Sequence, residues 1–300
     1  MTHTTHAQEL DQGERFAFGK NWENFLRTLD EERIVEAERS LRQMLALDSL
    51  QGKRFIDVGS GSGLFSLAAR RLGATVHSFD YDPQSVACTA ELKRRFFPDD
   101  PEWNVEEGSV LDNEYLAGLG RFDVVYSWGV LHHTGDMWKA LGNVAVRCEA
   151  NGVLFVAIYN HMGGASRRWT RIKKTYCQLP RWLRTPFALA VMIPIQLRSL
   201  LIYIVQAKPR EFFTEKSGYK TKRGMNWWYD QIDWIGGYPY EDAKPEEVFT
   251  FFSRQGYSLT NLTTCGGGIG CNQFVFQNGR TCPSLRRNQR VTPHQQDSSR

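Results

Sequence analysis

No Cys-x-x-Cys pair occurs in the 300 residues of this chain, and its six cysteines (88, 148, 177, 265, 271 and 282) fall at no zinc-ligand spacing. A zinc module and a dithiol redox motif are thereby excluded. Reduced thiols are expected, although Cys265 and Cys271 are spaced to lie near each other on a hairpin. The first residues, Met1-Thr2-His3-Thr4-Thr5-His6, have no apolar core, so no signal peptide is expected. The dinucleotide fingerprint Gly-x-Gly-x-x-Gly is missing. Counted from Gly59 it needs glycine where Leu64 stands, and counted from Gly61 where Ser66 stands. Acids nearly vanish between His161 and Arg223, where only Glu211 and Glu215 accompany 14 lysines and arginines. The whole chain carries +4, that segment +12, and the remainder therefore −8. Charge gathered in this way speaks about partners more than the overall balance does. The remaining composition, 41% hydrophobic and 23% charged, is that of a soluble globular protein of one large or two small domains.

What is present centres on Arg54-Phe55-Ile56-Asp57-Val58-Gly59-Ser60-Gly61-Ser62-Gly63. Residues 54–58 are short and apolar, which suits a buried parallel strand. Glycines at alternate positions let the backbone turn tightly and approach a ligand closely. A helix over 64–72 then aims its amide-bearing N-terminus at the same place. The next strand, 74–79, ends in Asp80-Tyr81-Asp82-Pro83. Asp80 lies 23 positions after Asp57, near the offset of the acid that binds ribose hydroxyls in Rossmann-type units. Asp82 is better placed as a helix N-cap, with Pro83 at the first helical position.

The pattern Asp-x-Gly-x-Gly-x-Gly from Asp57 to Gly63 resembles the first motif of class I S-adenosylmethionine-dependent methyltransferases. That cofactor has no phosphate; its ammonium, carboxylate and sulfonium suit a carboxylate beside a glycine loop. The resemblance implies S-adenosylmethionine as cofactor and a doubly wound, seven-stranded Rossmann-like α/β sheet. It implies cofactor contacts at Asp57, Gly59, Ser60, Gly61, Gly63, Asp80 and Tyr81. It places the adenine by Ser109 and Val110, where many relatives carry an acid, and the methionine moiety by Ser127 and Gly129.

The rest of the chain is read around that core. Residues 1–12 and 279–300 are polar and expected to be disordered. Residues 13–49 read as a helical cap, with a strongly amphipathic helix over 30–47. Residues 50–160 alternate strands (54–58, 74–79, 103–107, 122–127, 152–159) with helices (64–72, 83–96, 112–118, 136–148), the rhythm of a parallel sheet covered on both faces. Residues 245–278 add a helix and two antiparallel strands around a glycine turn. In such sheets ligands sit at the carboxyl ends of the strands. At the exit of the fourth strand stand His132 and His133, the expected catalytic pair, since imidazole titrates near neutrality and suits removal of a proton from an oxygen acceptor. A structural role for one of the two stays open. No carboxylate or third histidine stands at ligand spacing beside them, so no metal is expected. Tyr159 and Asn160 close the fifth strand, facing the acceptor.

Residues 161–244 form an insertion. Residues 186–206 are strongly apolar, but Pro194 interrupts them and Gln196, Arg198 and Ser199 occupy their middle. A central arginine opposes a membrane span. Two readings stay open: a helical lid or dimer contact, and an element lying on an anionic membrane surface. From Arg223 to Pro239 runs Arg-Gly-Met-x-x-Trp-x-Asp-x-x-Asp-Trp-x-Gly-Gly-Tyr-Pro, which resembles a bacterial group commonly labelled ubiquinone-methyltransferase-like. Trp227, Trp228, Asp230 and Asp233 are its expected substrate contacts. The expected activity is methyl transfer to a small molecule, at the oxygen of an aromatic or lipid-linked acceptor. The expected location is the cytoplasm, with peripheral attachment to the inner face of a membrane. An RNA methyltransferase using the basic segment is the alternative enzyme, and a non-catalytic cofactor-binding scaffold at a membrane the alternative to catalysis. The apolar centre of the insertion speaks against nucleic acid.

Overall fold

A computed structural model describes residues 5–208, 210–211, 214, 227–266, 268 and 270–279. Seven strands form one sheet in the order β3-β2-β1-β4-β5-β7-β6. The strands are β1 Arg54–Val58, β2 Thr75–Asp80, β3 Trp103–Glu107, β4 Phe122–Trp128, β5 Cys148–Tyr159, β6 Tyr257–Thr263 and β7 Cys271–Asn278. β1 to β5 are parallel; β7 runs antiparallel to β5 and β6. The strand order therefore reverses between β1 and β4, and a crevice opens at their carboxyl ends. This is the doubly wound α/β sheet with an antiparallel edge that the sequence predicts.

Strand periodicity sorts the core. Phe55 packs into one layer with Leu67, Ala68, Trp103 and the N-terminal helices. Ile56 and Val58 pack into the other with Met137, Leu141, Phe252 and Phe276. Successive side chains of a strand point to opposite faces, so Asp57 shares the Phe55 side, under the helix Leu64–Arg71. The helices are α1 His6–Asp11, α2 Gly19–Leu26, α3 Glu31–Leu45, α4 Leu64–Arg71, α5 Pro83–Phe96, α6 Asn113–Leu119, α7 Met137–Ala145, α8 Gly164–Gln178, α9 Arg181–Val205, α10 Trp227–Gly236 and α11 Pro245–Ser253. As expected, Asp82 caps α5: its side chain accepts the Gln84 N–H, with Pro83 in the first turn.

Three expectations need correction. Residues 6–11, expected within a disordered tail, form α1, closed by a capping box between Thr5 and Gln8. β5 begins at Cys148 rather than 152, because Cys148 already pairs with Phe122 before a register shift. In that irregular stretch Asn151 takes φ +60°. Third, α9 runs unbroken through Pro186 and Pro194. Proline removes one backbone donor and crowds the preceding turn, which bends a helix of good formers without ending it. α8, α9 and α10 share a small core of Trp169, Tyr176, Cys177, Ala188, Met192 and Ile235. The residues after 279 lie outside those described.

Candidate active site

The glycine loop is built from backbone. Gly59, Gly61 and Gly63 take φ of +79°, +55° and +78°. The Gly59 and Ser60 amides both donate to the Phe79 carbonyl, which ties the loop to the end of β2. At Gly59 a Cβ would meet Val130 Cγ1 at 2.3 Å. Gly59→Ala is therefore expected to cost about 2–4 kcal/mol in urea unfolding, combining left-handed strain with overpacking. Adding Val130→Ala should recover the packing part and leave the backbone part.

Asp80 closes the other wall. Its carboxylate accepts the Gly61 amide at 2.9 Å and the Asp82 amide at 2.9 Å. Burial pushes it up to about 6, against the pull of those amides. The third wall is Gly129, at φ +75°, where a Cβ would meet nothing within 4 Å. A tight glycine turn, one half-buried carboxylate and open space beside a strand exit suit an adenosyl amino acid. The crevice is roofed by the N-terminal segment. The Trp22 ring lies where a Gly61 Cβ would meet it at 3.1 Å, and the Gly19 amide donates to Asp82 at 2.8 Å. Tyr81 is held there too, between the Arg15 guanidinium at 4.9 Å and the His6 ring.

Several expected cofactor residues turn elsewhere. Asp57 is buried and accepts Ser66 Oγ at 2.5 Å, at the end of a chain in which Trp103 donates to Ser78 and Ser78 to Ser66. Burial raises it to about 7. Ser60 Oγ pairs with Thr89, and Ser127 Oγ donates to the Val58 carbonyl. These side chains brace the crevice from behind and leave its surface to their backbone. Ser109 Oγ accepts the Leu111 amide, and the carbonyl of buried Val110 accepts from Asn143.

Beyond Gly129 the chain makes a 3-10 turn, Leu131–His133, that buries both histidines. His132 is fully buried, and among the described residues neither ring nitrogen has a hydrogen-bond partner of normal geometry. Its ring lies 3.9 Å from that of Tyr159. Burial first, then His133 and Lys173, hold its pKa well below the usual value. His133 stands 2.6 Å through Nδ1 from the Pro239 carbonyl. A carbonyl only accepts, so Nδ1 carries the proton and Nε2 is the bare nitrogen. Burial, then Lys173, lowers His133 to about 3. Both imidazoles are neutral at physiological pH.

Tyr159, Trp234 and Tyr240 extend this wall into the insertion. They surround a residue that motif reading missed. Lys173 is fully buried, donates to the Trp234 carbonyl, and lies 4.3 Å from the Trp234 ring and 5.0 Å from the Tyr240 ring. Burial lowers it to about 7. A signal for it existed: Trp169, Lys173, Tyr176 and Cys177 follow helical spacing, so Lys173 sits within an apolar stripe. Asp233 lies beside the same wall and accepts from Asn21 of the N-terminal roof. Asn160 turns away, its amide engaged by Gly268 and Asn272. Trp227, Trp228 and Asp230 lie on α10, with side chains outside the described residues. Among the described residues no cluster of His, Cys, Asp and Glu could hold a metal.

A ubiquinone biosynthesis O-methyltransferase of Rhodopseudomonas palustris strain HaA2 is 30% identical over 120 residues, covering 40% of this chain and 45% of that protein. A tRNA U34 carboxymethyltransferase of Alcanivorax borkumensis is 40% identical over 88 residues, covering 29% of this chain and 26% of the other. The chain thus aligns with less than half the length of these curated relatives. Among solved structures, an N-methyltransferase from Bradyrhizobium japonicum WM9 in complex with S-adenosyl-L-homocysteine is 13% identical, with a TM-score of 0.47 over 88% of this chain and 100% of that one. The methyltransferase domain family itself matches residues 29–257, and over that span this chain belongs to it.

Proposed function

We propose that this protein transfers the methyl group of S-adenosylmethionine to a small-molecule acceptor, at the oxygen of an aromatic or lipid-linked compound. One observation carries the reading: the glycine loop and Asp80 stand at the carboxyl ends of β1 and β2, and the neighbouring β4 runs through Gly129 into the turn that sets His132 and His133 against Tyr159. On this reading the tight Gly59–Gly63 turn, which lets a ligand approach the backbone closely, the Asp80 carboxylate and the backbone at Ser109 and Gly129 hold the cofactor. The cofactor supplies an electrophilic methyl carbon on a sulfonium. The protein supplies orientation, exclusion of water and a destination for the acceptor proton.

His133 fits that last task. The Pro239 carbonyl fixes its tautomer and ring orientation, leaving Nε2 to accept a hydrogen bond from an acceptor hydroxyl. A pKa of about 3 makes it a weak base toward a free alcohol or phenol. As the new C–O bond forms and the C–S bond breaks, however, the oxygen approaches an oxonium, which is far more acidic than imidazolium. The proton then moves downhill to Nε2. The aromatic faces of Tyr159, Trp234 and Tyr240 suit a planar acceptor.

The test is transfer of a labelled methyl group to a panel of phenols and quinols. His133→Ala should lower kcat by about a hundredfold, within the usual range for a lost acid–base group, and leave the Kd for S-adenosylmethionine within about twofold. Equal losses in kcat and cofactor affinity would instead make His133 a packing residue.

A further inference from the structure

Helix α9, Arg181–Val205, is strongly apolar along most of its length. This 25-residue helix has a mean hydropathy of 2.0 in its most apolar window, yet only 11% of that window is buried. Ala188 and Met192 anchor its first half against α8 and α10. Past Met192 nothing of it is buried. Leu189, Ile193, Leu197, Leu201 and Ile204, spaced by three or four residues, are 40–60% exposed and form one continuous stripe. Such a stripe on one helix far exceeds the scattered apolar residues of an ordinary surface.

Charge decides what covers it. α9 contains no aspartate or glutamate. Arg167, Arg168, Arg171, Lys174, Arg181 and Arg198 are exposed on α8 and α9, and none makes an ion pair among the described residues. A second copy of the chain docked through this face would bring like charges together without acids to offset them. An anionic bilayer offers an apolar interior under negative headgroups, matching both parts. Length decides how deep the helix goes. The part past Met192, Ile193 to Val205, is 13 residues, or about 20 Å at 1.5 Å per residue, short of the ~30 Å hydrocarbon core.

We infer that α9 is a membrane-docking helix whose exposed stripe, from Leu189 to Ile204, seats the protein on the surface of an anionic lipid bilayer without spanning it. The docked element is joined to the site wall: Trp169 of α8 packs on Trp234 of α10 at 5.3 Å, and Trp234 packs on Tyr159 at 5.5 Å. The inference stands whether or not the site transfers methyl groups, because it rests on α9 and its flanking charges alone.

Flotation of the full chain with vesicles tests it. Wild type should float with vesicles of phosphatidylcholine plus phosphatidylglycerol, float far less with phosphatidylcholine alone, and release in high salt. The triple variant Ile193→Gln, Leu197→Gln, Leu201→Gln removes exposed apolar surface and leaves the net charge unchanged. It should keep wild-type unfolding and cofactor titration while its vesicle partition coefficient falls by about tenfold or more. Arg167→Gln with Arg168→Gln should weaken binding to the anionic vesicles alone. Absence of wild-type flotation on anionic vesicles overturns the inference, as does a triple variant that floats unchanged. A wild-type dimer in sedimentation, abolished by the triple variant and accompanied by no flotation, would overturn it by assigning the face to a second copy.

Discussion

Asp80→Ala should weaken binding of S-adenosylmethionine and of its demethylated product by about a hundredfold in calorimetric titration, with the protein still folded. The carboxylate stands at the end of β2, half-buried, and holds the Gly61 and Asp82 amides. Two oxygens offer about four acceptor positions, so two amides leave capacity for a pair of ribose hydroxyls. Hydrogen bonds to a charged group contribute about 1.5–3 kcal/mol each. Losing two, with partial replacement by water, amounts to about 3 kcal/mol, or roughly a hundredfold. Asp80→Asn separates the two roles of the residue. It keeps an oxygen for the Gly61 amide and should retain most of the folding stability while losing much of the affinity. Unchanged affinity in both variants would remove Asp80 from the cofactor site. No binding to the folded wild type would instead leave the crevice as inherited architecture.

Burial holds Asp80 near pKa 6, which adds a pH signature. Its folded value lies above the ordinary carboxyl value. Between the two the folded chain binds a proton that the unfolded chain does not, so this group's contribution to stability falls as pH rises from about 4 to about 6. Affinity for a ribose that needs the ionised acceptor should rise over the same interval.

Lys173→Met should make the protein more stable near pH 6, by about 2–3 kcal/mol, and less active. Lys173 is fully buried beside aromatic rings, and burial lowers its pKa from 10.5 to about 7. That shift corresponds to a penalty on the order of 4–5 kcal/mol for keeping the ammonium folded. The bond to the Trp234 carbonyl and the faces of Trp234 and Tyr240 return about 1–2 kcal/mol of it. Below about pH 7 the amine is protonated in both states and the penalty is complete. Between about 7 and 10.5 the unfolded chain binds a proton that the folded chain does not, so wild-type stability rises with pH and the advantage of methionine fades. Urea unfolding of both proteins from pH 6 to pH 10 measures this directly. Parallel curves would show that the amine is not the titrating group. A buried cation held at such cost beside two neutral histidines is expected to serve the site. Any limb near pH 7 in the wild-type rate profile should therefore disappear in Lys173→Met.

Local chemistry carried most of the architecture. Short apolar runs bounded by glycine and aspartate define β1 to β4, and their alternation with amphipathic stretches dictates a sheet covered on both faces. The Asp82-Pro83 start of α5 and the glycine loop are also local, because capping and positive φ depend on a few adjacent residues. The position of Asp80 at the end of β2, beside the glycine loop, also follows from strand spacing. Even the direction of Asp57 was contained in the period of two: on the Phe55 side of β1 it meets Ser66 rather than the crevice.

Other features needed the folded chain, since they join residues with no local relation. The roof over the crevice brings Gly19 to Asp82, Arg15 to the His133 carbonyl and Asn21 to Asp233, contacts spanning 63, 118 and 212 positions. No periodicity in a short window encodes which distant surface a helix will cover. The tautomer of His133 comes from Pro239, 106 residues away, and the depressed amine of Lys173 from rings contributed by another helix and its following loop. Ser60, Ser127 and Asn160 lie where motif spacing expects ligand contacts, yet their side chains are taken up by internal bonds. Spacing states where the backbone passes. Burial and hydrogen bonding, which are properties of the packed chain, decide which side chains remain free to meet a ligand.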